Sequence, residues 1–190
     1  MFLKQHKIKH ICETTLYPMK YSPKILFFAL CFFTTFVYGQ RDPSAIVTLM
    51  VQKTNALRSA KGLAPLQPLD SLHRLAQFHS DNMAREGFYQ HVDPQGRTPI
   101  DRAKELGIQP WRRVGNRSIG IGENIAQVPW FENVSTCGDT RSDEAFAECM
   151  VQGWKNSPPH YKNIMGDYKQ LGIGLQFNKD NMGLGTQVFR

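Results

Sequence analysis

An α+β fold with an antiparallel sheet is what three observations predict. Apolar residues recur at helical spacing through the earlier part of the chain, and extended runs gather towards its C-terminal end. The two patterns do not alternate as βαβ units would. The closing runs, Gln170–Phe177 and residues 184–189, flank the turn-rich Asn178-Lys-Asp-Asn-Met-Gly183, which reads as a hairpin connection.

The chain has 190 residues, room for one domain with a proper core behind a targeting segment. Lys20 and Lys24 precede a 13-residue apolar run, residues 25–37, followed by Tyr38-Gly39. That order predicts a secretory signal peptide over residues 1–39. The run is short of the roughly 20 residues a membrane span needs. Cleavage is expected near Gly39, leaving a mature domain over residues 40–190. The compact leader that begins at Met19 points to Met19 as the true start. Cys31 lies mid-run behind the bulky Leu30, so no lipid anchor is expected there. The chain is thus expected to be secreted, extracellular or periplasmic, with no stable membrane span after cleavage.

The formal charge of +7 is mostly leader: residues 1–39 hold five lysines and one glutamate, which leaves the remainder at +3. That remainder holds no dense basic run with interleaved aromatics, so nucleic acid is not an expected partner. Of four cysteines, Cys137 and Cys149 remain after processing. In an oxidising compartment this pair most simply forms one disulfide, tying the loop after Trp130 to the next helix. Two buried thiols are the alternative.

Pro43 and Ser44 open a first helix carrying Ile46, Leu49, Met50 and Leu57, stopped by Gly62 and Pro65. Asp70 is expected to cap a second helix, with Leu72, Leu75, Ala76, His79 and Met83 on one face and Gly87 as its stop. His79 on that stripe reads as a hydrogen-bonded core histidine. Thr98 caps a third helix, with Pro99 at its first position and Gly107 as its stop. Residues 110–116 read as irregular, 118–126 as one short extended piece, and 130–141 as a loop. Ser142 or Asp143 caps a fourth helix with Phe146, Cys149, Met150 and Trp154 inward, and Pro158-Pro159 is expected to end it. Gly172 and Gly174 within the first C-terminal strand predict close packing against a backbone or helix.

Three polar segments remain: Tyr89-Gln-His91 with the bend that follows it, Gly122-Glu-Asn-Ile125, and Trp154 through Ile164 with Ser157, Pro158, Pro159 and His160. Their Gly, Pro and Asn residues fix bends, and bent segments that carry His91, Glu123 and His160 suit a cleft. Two imidazoles and a carboxylate can hold Zn²⁺ or another divalent cation, act as general acid and base, or form a structural or ligand-binding network. The last is favoured, and all three stay open. Ser157 lies three residues before His160, but no third residue stands out to complete a triad. His-Glu-x-x-His, Gly-x-Ser-x-Gly, phosphate-loop and zinc-cysteine spacings are absent.

The order of these pieces resembles the CAP superfamily (cysteine-rich secretory proteins, antigen 5 and pathogenesis-related 1 proteins), most closely its bacterial secreted, SCP-like branch. The resemblance rests on Asn55-Ala-Leu-Arg58, Leu75 through Ala84, His91 with Asp93-Pro-Gln-Gly-Arg-Thr98, Gly122-Glu-Asn-Ile125, Trp154 through Ile164, and Thr186-Gln-Val-Phe189. It implies an α-β-α sandwich around a three-stranded antiparallel sheet, and a cavity with two His and two Glu that binds zinc in some members. His91, Glu123 and His160 match three of those four positions, with Asn124 beside them. Ser157 stands where the second Glu falls, and Pro159 replaces a Gly, so weaker metal binding is implied.

The resemblance favours a monomeric, non-catalytic binding module for a lipid, an envelope component or a protein. A zinc-dependent hydrolase or protease using the same cleft, and a structural domain with its function in its loops, are the alternatives.

Overall fold

The computed structural model describes residues 41–190. The signal peptide, the start at Met19 and the environment of Cys31 lie outside the described residues. The elements are α1 (Pro43–Ser59), β1 (Gln67–Pro68), α2 (Asp70–Glu86), α3 (Pro99–Glu105), β2 (Trp111–Val114), β3 (Arg117–Gly120), β4 (Gly122–Pro129), α4 (Asp143–Asn156), α5 (Pro158–Ile164), β5 (Gln170–Phe177) and β6 (Met182–Phe189).

The main sheet runs β1-β5-β6-β4. It differs from the expected three-stranded antiparallel sheet. The β5–β6–β4 ladder is antiparallel, but β1 adds a fourth, parallel strand at Gln67↔Gln170. β1 stops after two residues, and its Pro68 offers no donor to extend the ladder. The expected single piece over 118–126 is two strands, because β3 turns back on β2 as a separate hairpin and β4 begins after Ile121.

Helices cover both faces. Ile46, Met50, Phe146, Met150, Trp154 and Ile164 form one layer from α1, α4 and α5 against Leu171, Ile173 and Phe189. Leu72, Leu75, Ala76 and Ala103 from α2 and α3 pack on Val188 across the sheet. Burying each large apolar side chain contributes about 1.5–3 kcal/mol. Close approach of α2 depends on two residues of β5. A Cβ on Gly172 would fall into the backbone of Leu72, and one on Gly174 into that of Gln77. The packing role expected of this glycine pair is therefore borne out. From this position His73 and Gln77 reach the β5 backbone: the Gln77 amide pairs with both N–H and C=O of Leu175 at 3.0 Å.

Two helix boundaries depart from expectation. Asp70 is the first residue of α2 rather than its cap; Leu69 precedes it and makes no side-chain cap bond. Pro158 and Pro159 do end α4, but they also start α5. Their missing N–H groups fall where a first helical turn leaves donors unpaired anyway. Ser142, by contrast, caps α4 through the Ala145 N–H, and Thr98 and Asp101 form a reciprocal capping box on α3. Cys137 and Cys149 are joined as a disulfide, with Cα atoms 5.5 Å apart.

Candidate functional site

β4 is a free edge of the main sheet, and the candidate site is built around that edge. Successive strand residues point to opposite faces, so neighbouring Glu123 and Asn124 address different helical layers. Glu123 faces the α2–α3 layer. Its Oε1 accepts from His91 Nδ1 at 2.9 Å, and its Oε2 accepts from Arg102 at 2.7 Å. Asn124 faces the other layer. Its Nδ2 donates to the carbonyl of His160 at 3.1 Å and to Gln187 Oε1 at 3.0 Å. The Gly-Glu-Asn motif is thus a two-sided clamp, with one residue holding the His91 loop and the next holding α5. The rings of His91 and His160 meet edge-to-face, with centroids 6.5 Å apart.

Buried charge fixes the His91 side. Arg102 is fully buried on α3 and also donates to the carbonyls of His91 and Arg97, both at 2.9 Å. Asp93 closes the same loop through the Arg97 N–H and guanidinium. Burial pushes the Asp93 carboxyl up, but the hydrogen bonds and charge of Arg97, helped by Arg102, outweigh it and hold the group low. His79 lies beneath the site. Its Nε2–H donates to the Gln90 carbonyl at 3.0 Å and stands 3.9 Å from Glu123 Oε1. Burial lowers its pKa against the pull of Glu123, and its Nδ1 is buried without a partner. The expected core histidine is therefore in the core, and it lies directly beneath Glu123.

On the other side, burial and then the charge of His91 lower the pKa of His160. Asn163 donates to the Asn124 side chain at 2.8 Å and to the Glu123 carbonyl at 3.2 Å, and Tyr89 donates to the Ile125 carbonyl. These bonds cover part of the open strand edge. Gln187 donates onward to Thr54 at 2.8 Å, tying α1 into the same chain of polar groups. Ser157 sits at the α4–α5 junction, and among the described residues its hydroxyl bonds none of this cluster.

His91, Glu123, Asn124 and His160 are thus brought together, while Ser157, at the N-cap of the helix that carries His160, makes no hydrogen bond to them. Sequence reasoning missed Arg102, Asn163, Gln187 and Thr54. Asn163 lies inside the third motif and was within reach. Arg102 sits in a seven-residue helix, too short for an apolar stripe to reveal which residues point inward.

Glu123 has both oxygens engaged, Oε1 by His91 and Oε2 by Arg102, so its charge is already compensated within the protein. Among the described residues no three His, Cys, Asp or Glu side chains are grouped to hold a metal. What stands ready is a pair of imidazoles. Glu123 accepts from Nδ1 of His91, which fixes the orientation of that ring.

The model of the cysteine-rich secretory protein family, CAP, matches residues 51–189. The chain belongs to the CAP family. A curated relative, the uncharacterized protein YkwD of Bacillus subtilis, is 30% identical over 132 residues, 69% of this chain and 42% of that protein. A second, the uncharacterized membrane protein YlbC of the same species, is 27% identical over 64% of this chain and 29% of its own length. This CAP chain therefore spans less than half the length of either curated relative.

Two solved structures share its fold. An outer surface protein of Borrelia burgdorferi aligns with a TM-score of 0.60 at 18% identity, covering 80% of this chain and 96% of that one. An extracellular SCP-domain protein of Bacillus anthracis aligns with a TM-score of 0.57 at 24% identity, covering 80% and 44%. Among the described residues no helix is long and apolar enough to cross a membrane.

Proposed function

We propose that this CAP domain is an exported, monomeric, non-catalytic binding module whose cleft centres on His91 and His160 and takes a divalent cation, Zn²⁺ being the natural test ion. The observation that carries this reading is the pairing of two imidazoles across the β4 edge with Glu123 engaged by His91 and Arg102. A carboxylate behind a histidine orients the ring and raises its basicity, which is how outer partners support metal-binding imidazoles. His160, with its pKa lowered by burial, stays neutral and ligand-competent near neutral pH.

The ring centres, 6.5 Å apart, stand somewhat wider than the roughly 5 Å that one tetrahedral Zn²⁺ would hold. The His91 side chain, 47% exposed on its loop, is the one with room to close that gap. Two protein ligands leave coordination positions for water or for a donor atom of the docked molecule, so affinity is expected to be modest. A bound ion would supply a Lewis-acidic contact for an oxygen or nitrogen of that molecule. Tyr89 and Val92, exposed beside His91, add an apolar rim suited to a lipid, envelope or protein ligand with a hydrophobic part. Export is supported by the leader-like residues 1–39 and by the disulfide.

Metal analysis and calorimetry with Zn²⁺ near neutral pH test the reading. Stoichiometric binding by the wild type that disappears in His91→Ala/His160→Ala is expected. Absence of Zn²⁺ binding by the wild type eliminates the cation. Peptide hydrolysis that vanishes in the double variant overturns the non-catalytic assignment.

A further inference from the structure

The β2–β3 hairpin presents a cationic, aromatic surface built from residues close together in sequence. It stands outside the main sheet and pairs Trp111↔Gly120, Arg113↔Ser118 and Val114↔Arg117. Alternation along the strands sorts the side chains. Arg112, Val114 and Ile119 are half-buried, whereas Trp111, Arg113 and Ser118 share the outer face, and Arg117 is exposed at the tip. The Trp111 ring lies over Gly120, where a Cβ would strike it, yet the residue remains 44% exposed. Packing on Gly120 accounts for part of the indole and leaves nearly half of the residue open to solvent.

The charges of Arg113 on this face and Arg117 at the tip are uncompensated. Arg112 pairs with Asp167, and Glu105, the only acid between residues 104 and 120, pairs with Arg97. Among the described residues Arg113 and Arg117 pair with no carboxylate. Guanidinium groups bind phosphate oxygens in a planar fork, and a partly exposed indole with a polar N–H settles at headgroup depth. The hairpin itself is fixed to the domain: Arg112 and Arg190 donate to the carbonyls of Asp167 and Gln109, and the Ile121 N–H donates to the Pro110 carbonyl. It is a held surface rather than a loose loop.

We infer that the outer face and the tip of the β2–β3 hairpin dock the domain on an anionic lipid bilayer, with Arg113 from the outer face and Arg117 from the exposed tip on headgroup phosphates and Trp111 at the interface. This surface is separate from the His91–His160 cleft and does not depend on metal binding there. Two exposed arginines give weak, reversible docking. Each cation near an anionic surface changes partitioning about fivefold, so removing both is expected to cost about 25-fold.

The test uses vesicles of phosphatidylcholine with and without phosphatidylglycerol, with bromine-labelled acyl chains as quenchers of tryptophan fluorescence. Comparing wild type with Trp111→Phe isolates the Trp111 signal, so the apolar N-terminal run does not enter the result. Expected are quenching of Trp111 only on anionic vesicles, loss of that quenching at about 0.5 M salt, and partitioning about 25-fold weaker in Arg113→Gln/Arg117→Gln with unchanged thermal stability. The inference is overturned if Trp111 is unquenched, if the double variant partitions like wild type, or if the hairpin is retained on a soluble polyanion such as heparin but not on vesicles.

Discussion

Arg102→Met is the most direct probe of what holds the His91–Glu123 cluster together. The guanidinium makes three hydrogen bonds, to Glu123 Oε2 and to the carbonyls of His91 and Arg97. Methionine keeps most of the volume and loses all three. The Glu123 side chain, 3% exposed, is then left as a buried charge with only His91 and His79 beside it. Breaking a buried ion pair from one side costs about 3–5 kcal/mol. For a domain of this size each kcal/mol lowers the melting temperature by about 2–4 °C, so a fall of roughly 6–20 °C is expected. Urea unfolding near pH 7, followed by tryptophan fluorescence, measures the loss. Glu123→Gln in the same background removes the charge that Arg102 compensates, so the double variant should recover at least ~1 kcal/mol against the sum of the single losses. A single-variant loss under ~1 kcal/mol, or strict additivity in the double variant, refutes the account of Arg102 as the counter-charge of the site.

Gly174→Ala places a methyl group inside the backbone of Gln77, so α2 must lift from β5. A loss of at least about 1–3 kcal/mol is expected by chemical denaturation, and a neutral result would show that the close approach is not required. The disulfide closes a loop of about a dozen residues, so Cys137→Ser/Cys149→Ser should cost about 3 kcal/mol in urea unfolding with no decrease in denaturant slope, and an unchanged midpoint would refute this. Burial holds His79 below the ordinary imidazole value of 6.5, so the unfolded chain binds the extra proton first. Its contribution to stability is therefore present above about pH 6.5 and lost as the pH falls from there towards the folded value. His79→Gln should flatten the decline in urea midpoint between about pH 7 and 5, and an unchanged slope would assign that decline to other groups.

The elements with long, regular spacing were legible before any coordinates. Ile46 and Met50 on α1, Leu72 to Met83 on α2, and the β5–β6 hairpin all follow from period and punctuation. Short elements were not. Pro158-Pro159 carries the stop of one helix and the start of another, and only the chain direction after Ser157 distinguishes these roles. β2 and β3 are four residues each, rich in arginine, and held by pairing rather than by an apolar pattern. For the site, His91, Glu123 and His160 were recoverable because bend-forming residues surround each of them. Arg102 was not, because its importance comes from where α3 lands against β4, a tertiary fact with no local imprint. Ser157 drew attention through its spacing from His160, and the helix junction accounts for its position.

The polar chain from Thr54 through Gln187 and Asn124 to Asn163 sets a condition on how the domain assembles. A strand displaced by a single residue presents every side chain to the wrong side. For β4 that error would swing Asn124 towards α2 and Glu123 towards α1. Gln187 would lose its amide neighbour, and both histidine-bearing segments would lose their tethers in the same step. A misaligned sheet therefore cannot retain half of this cluster. The group arrives whole with the final alignment of the edge strand, or it does not arrive.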